Sequence, residues 1–94
     1  MKYTWIRATT AQVISTTPAC VGAVLLTPKA GKQGYVTLYD GESVGDPRIL
    51  TVRSGSGQTK VINFQPFLVT QRGLYASTLH DVEDLVIQLA WEHE

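Results

Sequence analysis

Gly34-Tyr35-Val36-Thr37-Leu38-Tyr39-Asp40-Gly41 is the stretch whose reading decides the fold. From Tyr35 to Tyr39 aromatic and β-branched residues alternate, so that Val36 and Leu38 share one face while Tyr35, Thr37 and Tyr39 share the other. A period of two is that of a strand with one buried face, because successive side chains leave the pleat in opposite directions. Asp40-Gly41 follows, an Asp that tolerates left-handed geometry and a Gly with no Cβ to clash at positive φ. The chain is expected to reverse there, with the strand ending at Asp40.

The same rhythm recurs on both sides. Residues 19–27 are nearly continuous apolar sequence rich in Val, which predicts a strand buried on both faces and stopped by Pro28. Residues 49–53 alternate with Leu50 and Val52 inward and Thr51 and Arg53 outward. Ser54-Gly55-Ser56-Gly57 is a flexible tip, and residues 59–65 return with Ile62 and Phe64 on one face, so a hairpin ended by Pro66 is expected. Phe67-Leu68-Val69 is a short apolar piece, Gln71-Arg72-Gly73 turns the chain, and residues 74–79 are expected as a further strand that sets Leu74 and Ala76 against Tyr75 and Ser77. At the other end, Tyr3, Trp5 and Ile6 fit an N-terminal arm or edge strand within residues 1–10, where Trp5 either caps the core or projects into a neighbouring subunit. A second extended piece, residues 12–16, is broken by Pro18.

Residues 81–92 admit two readings. Val82, Leu85, Val86, Leu89 and Ala90 share a helical face, whereas Leu85, Ile87, Leu89 and Trp91 alternate as in a strand. A closing strand is the simpler completion of a sheet. The count is then seven or eight short strands with turns every 8 to 12 residues or so, the signature of an all-β protein. The expected architecture is an antiparallel β-sandwich or a jelly-roll-like small barrel.

Ninety-four residues make one domain, 1–94, able to bury a single core. A hydrophobic fraction of 44% argues against global disorder. No apolar run approaches the length of a membrane span, and residues 1–7 lack the apolar stretch of a secretory signal, so neither membrane insertion nor export is expected. Eight basic and eight acidic residues cancel, which argues against nucleic acid as a partner. The charges are segregated: Lys2, Arg7, Lys29 and Lys32 precede Tyr39 without an acid, while Asp81, Glu83, Asp84, Glu92 and Glu94 crowd the end without a Lys or Arg. Such polarity predicts two halves that lie side by side, or an orienting device between copies.

Residues that carry chemistry are sparse. Cys20, the one cysteine, sits in an apolar run and reads as a small buried hydrophobe. Gly31-Lys32-Gln33-Gly34 has neither the spacing of a phosphate loop nor a following helix. Asp40, Glu42 and Asp46 lack the later bidentate Glu of a calcium loop, and a solvated turn is the better reading. His80-Asp81 resembles half of a hydrolytic dyad, but neighbours on a strand point to opposite faces, so a surface turn is expected. No catalytic, metal or cofactor residue is assigned, and an enzyme is not expected.

The order of Ala19-Cys20-Val21-Gly22-Ala23-Val24, the Tyr35-Val36-Thr37-Leu38-Tyr39-Asp40-Gly41 strand and turn, Pro47-Arg48-Ile49-Leu50, Phe64 and Gly73-Leu74-Tyr75 resembles small β-sandwich virion proteins of tailed bacteriophages and prophages. What the resemblance implies, over residues 13 to 91 or so, is a non-enzymatic structural component such as a capsid decoration or a head or tail accessory protein. It would form a homo-oligomer and contact other virion proteins, a major capsid or tail protein, after assembly in the host cytoplasm. Tyr and Trp are enriched at interface centres, so Tyr3, Trp5, Tyr35, Tyr39, Tyr75 and Trp91 are the candidate interface residues. The alternative is a carbohydrate or small-ligand binding module, which requires Tyr35, Tyr39 and a Trp on one open face.

Overall fold

The computed structural model describes residues 2–77 and 79–91; for Lys2 and Trp91 the description is of the backbone. Eight strands form: β1 (Lys2–Ala8), β2 (Gln12–Ser15), β3 (Cys20–Pro28), β4 (Tyr35–Tyr39), β5 (Arg48–Arg53), β6 (Lys60–Val69), β7 (Leu74–Ala76) and β8 (Val82–Trp91). They make two antiparallel four-stranded sheets, ordered β1-β8-β3-β6 and β2-β7-β4-β5, which we call the first and second sheet. The all-β class and the sandwich arrangement expected from the alternation are what the chain adopts.

The core lies between the sheets. Val36 and Leu38 of β4 are fully buried, as the two-residue period requires, and meet Val52, Leu74 and Ala76 from their own sheet and Val21, Val24, Leu26, Leu85 and Ile87 from the other. Apolar burial of this kind is the main stabilising term, about 25 cal/mol per Å².

Bulges explain the places where alternation fails. Val21 and Val24 both face the core although three residues apart, because the β3 register shifts between Val21 and Ala23. Val82 and Leu85 do the same across the shift opposite Thr27 and Pro28. That extra residue placed Val82, Leu85 and Leu89 on an apparent helical face; the segment is strand β8.

Three expectations are corrected. Residues 49–53 and 59–65 do not pair as a hairpin: β5 pairs with β4, whereas β6 crosses to the other sheet and pairs with β3. The β4–β5 pairing is prolonged beyond Arg53 by Ser54, whose hydroxyl accepts from the Gly34 N–H at 2.9 Å while its own N–H donates to the Gly34 carbonyl at 2.9 Å. Pro66 does not end a strand. Its strand is an edge and leaves the ladder there, with residues 64–67 opposite Gly22 alone, so the missing N–H is not needed. Finally, Asp40-Gly41 does not close a tight turn by itself; it opens a loop in which the Asp40 N–H donates to the Pro47 carbonyl.

Within that loop the Asp40 carboxylate accepts from the backbone N–H groups of Arg72 (2.8 Å), Gln71 (3.0 Å) and Gly73 (3.4 Å), tying the β4 end to the turn before β7. The Arg72 and then the Gln71 N–H hold this carboxyl below the ordinary carboxylate range. Asp46 accepts from the Glu42 and Ser43 N–H groups and pairs with Arg72; the Glu42 N–H is the main cause of its lowered pKa. Both carboxylates therefore serve as loop staples.

Candidate functional site

A core filled from two sheets leaves two outer faces, and they differ. On the second sheet β4 presents Tyr35, Thr37 and Tyr39 outward, half-buried. Tyr39 lies beside Tyr75 with ring centroids 6.2 Å apart, and Val13 is the register partner of Tyr75. Thr37 and Thr51 share a hydroxyl hydrogen bond of 2.9 Å. The Tyr35 ring has the His80 ring 4.8 Å away, tilted by 31°, and the Arg53 guanidinium 4.9 Å from its centroid. Each aromatic side chain of this face thus has a partner within its own sheet.

The first sheet is built otherwise. Tyr3 and Trp5, on the outer side of β1, are each 52% exposed. Register aligns Arg7 with Val86, Leu25 and Val61 across all four strands, and Trp5 with Gln88, Ala23 and Asn63. Leu25 and Val86 are half-buried and Val61 is 50% exposed. An apolar band of Val86, Leu25 and Val61 therefore crosses three strands and ends at Arg7 on β1; Trp5 lies one outer-face row away and Tyr3 two.

Above the band the β6 excursion makes a groove of about 780 Å³. Its floor is Gly22, where a Cβ would lie 2.6 Å from Gln88 Oε1 and 3.6 Å from the Phe67 ring. Phe67 stands edge-on to Tyr3, centroids 6.4 Å apart and planes at 86°. Asn63, Gln65 and Gln88 contribute carboxamides, and none of the eight lining residues carries a charge.

One ion pair borders the band. Arg7 Nε donates to both Asp84 oxygens at 2.9 Å and its Nη2 approaches one at 2.7 Å. The Arg7 hydrogen bond is the main reason the Asp84 carboxyl is held low. The early-basic, late-acidic polarity of the sequence is partly this contact between β1 and β8; Glu92 and Glu94 lie outside the described residues.

The candidate interface residues thus divide. Tyr35, Tyr39 and Tyr75 gather on the second sheet, while Tyr3 and Trp5 sit on the first; the Trp91 side chain lies outside the described residues. Trp5 does not cap the core, and Tyr35, Tyr39 and Trp5 do not share an open face. Sequence reasoning missed Phe67, Gln88, Asn63 and Gly22, because a strand assumed to end at Pro66 cannot bring Phe67 beside Tyr3. His80 and Asp81 do meet, at 3.3 Å, because Asp81 has left-handed backbone (φ 52°) and the pair is off the strand. His80 Nε2 faces that carboxylate and its ring lies on Tyr35. Among the described residues no cluster of His, Cys, Asp and Glu could hold a metal ion.

Compared with known protein families, curated proteins and solved structures, the chain finds no match.

Proposed function

We propose that this chain is a non-enzymatic structural protein of a virion, a capsid decoration or head or tail accessory protein, that self-associates and binds a viral lattice through the outer face of its first sheet. The observation that carries the binding face is the pair of half-exposed rings, Tyr3 and Trp5, on the same outer face as the Leu25, Val61 and Val86 band. Aromatic residues that are half open and set beside aliphatic ones are the composition of interface centres. The virion setting is supported by the resemblance of the central strand, the Asp-Gly turn and the Gly73-Leu74-Tyr75 strand to phage β-sandwich proteins. The non-enzymatic reading is supported by the employment of polar groups: Asp40, Asp46 and Ser54 are held by backbone hydrogen bonds and Asp84 by Arg7.

Light scattering and co-sedimentation with candidate shell proteins test this. Trp5→Ala should weaken particle binding by tenfold or more, the usual scale for an aromatic hot spot being about 2 kcal/mol. Tm should stay near wild type, because the indole is half in water already. A chain that binds glycans and no particle would overturn the virion reading.

A second reading, a neutral-saccharide module, is favoured by the groove beside Phe67. Carboxamides that both donate and accept suit paired hydroxyl groups, and an aromatic ring offers an apolar wall. A glycan array screened with wild type and Gln88→Ala separates the two readings, since the particle contact does not require the Gln88 amide.

A further inference from the structure

Each sheet of an open sandwich ends in two edge strands, whose unpaired N–H and C=O groups invite another chain unless they are blunted. Three of the four edges here carry such devices. β6 leaves its ladder over residues 64–67 and includes Pro66. β2 is four residues long, with a register shift between Val13 and Ser15. β5 has an exposed Arg at each end, Arg48 and Arg53, and a register shift opposite Leu38 and Tyr39.

The fourth edge is different. β1 pairs one-to-one with β8 over all seven residues, Lys2 with Trp91 through Ala8 with Leu85, without a shift. Its edge is therefore long, straight and regular. Tyr3 and Trp5 stand exposed on it, and Arg7, the charge best placed to guard it, is drawn back onto Asp84 of the neighbouring strand.

We infer that β1 is a homodimerisation edge: a second copy pairs its β1 antiparallel with this one about a two-fold axis at Trp5, joining two four-stranded sheets into one of eight strands. This rests on the self-association reading above and names its surface and register. Trp5 is the middle residue of the seven-residue strand, so the register centred on it is the one that pairs every residue. In that register Trp5 faces Trp5 of the second copy, Tyr3 faces Arg7, Thr4 faces Ile6 and Lys2 faces Ala8. The two indoles become cross-strand neighbours on the outer face, and each tyrosine stands opposite the aliphatic stem of Arg7, whose guanidinium stays on Asp84. No two like charges are opposed. Self-complementarity of this kind is what an isologous contact demands, and it is the reason to assign the edge to a second copy in preference to a foreign strand.

The register is testable by cross-linking in full-length chain carrying Cys20→Ser, so that one thiol is present per copy. Directly opposed Cα atoms in antiparallel strands lie about 4.5–5.5 Å apart, within disulfide reach. Trp5→Cys should therefore give disulfide-linked dimer on mild oxidation. Tyr3→Cys and Arg7→Cys should not cross-link alone, since each lies four residues, about 13 Å, from its own copy, yet the two mixed should cross-link. In sedimentation velocity, wild type should show dimer rising with concentration, and Trp5→Glu should weaken it by about tenfold or more by opposing two carboxylates. Circular dichroism confirms that each variant is folded. Equal cross-linking at all three positions, or wild type that is monomeric at every concentration, would overturn the inference. Self-association that persists in Trp5→Glu would overturn this edge and leave the functional reading standing, whereas wild type that binds no particle would sink that reading whatever the cross-links show.

Discussion

Replacing a glycine by alanine adds one methyl group, and at two glycines of this protein that methyl meets different neighbours. At Gly73 the new Cβ would lie 2.5 Å from the backbone carbonyl oxygen of Ser15 and 3.1 Å from that of Gly41. These are main-chain atoms: one is held by the β2–β7 pairing of Ser15 with Leu74, and the other follows Asp40, which the turn's own N–H groups fix. Neither can move without breaking ladder or staple. Overpacking of this kind costs about 1–3 kcal/mol, and the restriction of the unfolded chain returns about 0.4–1 kcal/mol, so Gly73→Ala should lose about 0.5–2 kcal/mol. For a domain this size each kcal/mol is worth about 4–8 °C in Tm. At Gly22 the Cβ would meet the end of the Gln88 side chain at 2.6 Å, which can rotate away. Gly22→Ala should therefore leave stability within about 1 kcal/mol of wild type. Thermal and urea unfolding of the two variants side by side measure the contrast. If Gly73→Ala unfolds with wild type, or Gly22→Ala proves the more damaging, then β2, β7 and the Asp40 loop do not converge as described.

Thr70 is almost fully buried, and its Oγ1 accepts from the Ala19 N–H at 2.9 Å. Thr70→Val keeps the shape, strands that donor and should cost about 1–3 kcal/mol in urea melts, whereas a cost near zero would mean water replaces the hydroxyl. The pH dependence follows from Asp40, whose folded pKa is lowered by the Arg72, Gln71 and Gly73 N–H groups. A depressed carboxyl contributes stability that is complete above its unfolded value, about 3.9, and is lost as pH falls toward the folded value. The Tm gap between wild type and Asp40→Asn should thus be widest near neutral pH and close in acid; a gap independent of pH would show that the charge is not what the loop uses.

Much of this fold can be read from local period, and the exceptions have physical causes. Val36 and Leu38 are inward because alternation leaves no other choice once one face is buried. The partner of β5 could not be read in the same way. An apolar-faced strand followed by Ser54-Gly55-Ser56-Gly57 looks identical whether it folds back on its own sheet or crosses to the opposite one. The difference lies in the partner, since residues 60–69 pair with the Val-rich residues 20–28 far back in the sequence. Bulges mislead similarly: one extra residue turns a spacing of two into three, and three is a helical spacing, which is why β8 carried both signals. Pro66 reads as a stop in any central strand, and only the knowledge that β6 is an edge permits it.

The same distinction redirects the search for function. From sequence the six aromatic candidates cannot be ranked: Tyr35, Tyr39 and Tyr75 are outward on strands, and Trp5 reads equally as core cap or contact. In the folded chain, neighbours from other strands separate them. Tyr35 is closed by His80 and Arg53, and Tyr39 by Tyr75, so the face of the central motif is largely satisfied within its own sheet. A ligand arriving there must displace contacts already made. On the first sheet the comparable residues lie on β1, a strand with a neighbour on one side only. A partner that extends the sheet gains the unpaired main chain and covers the indole in the same step, while the Arg7–Asp84 pair keeps its charge turned inward. The central strand therefore organises the core, and the border of the opposite sheet is where association has most to gain.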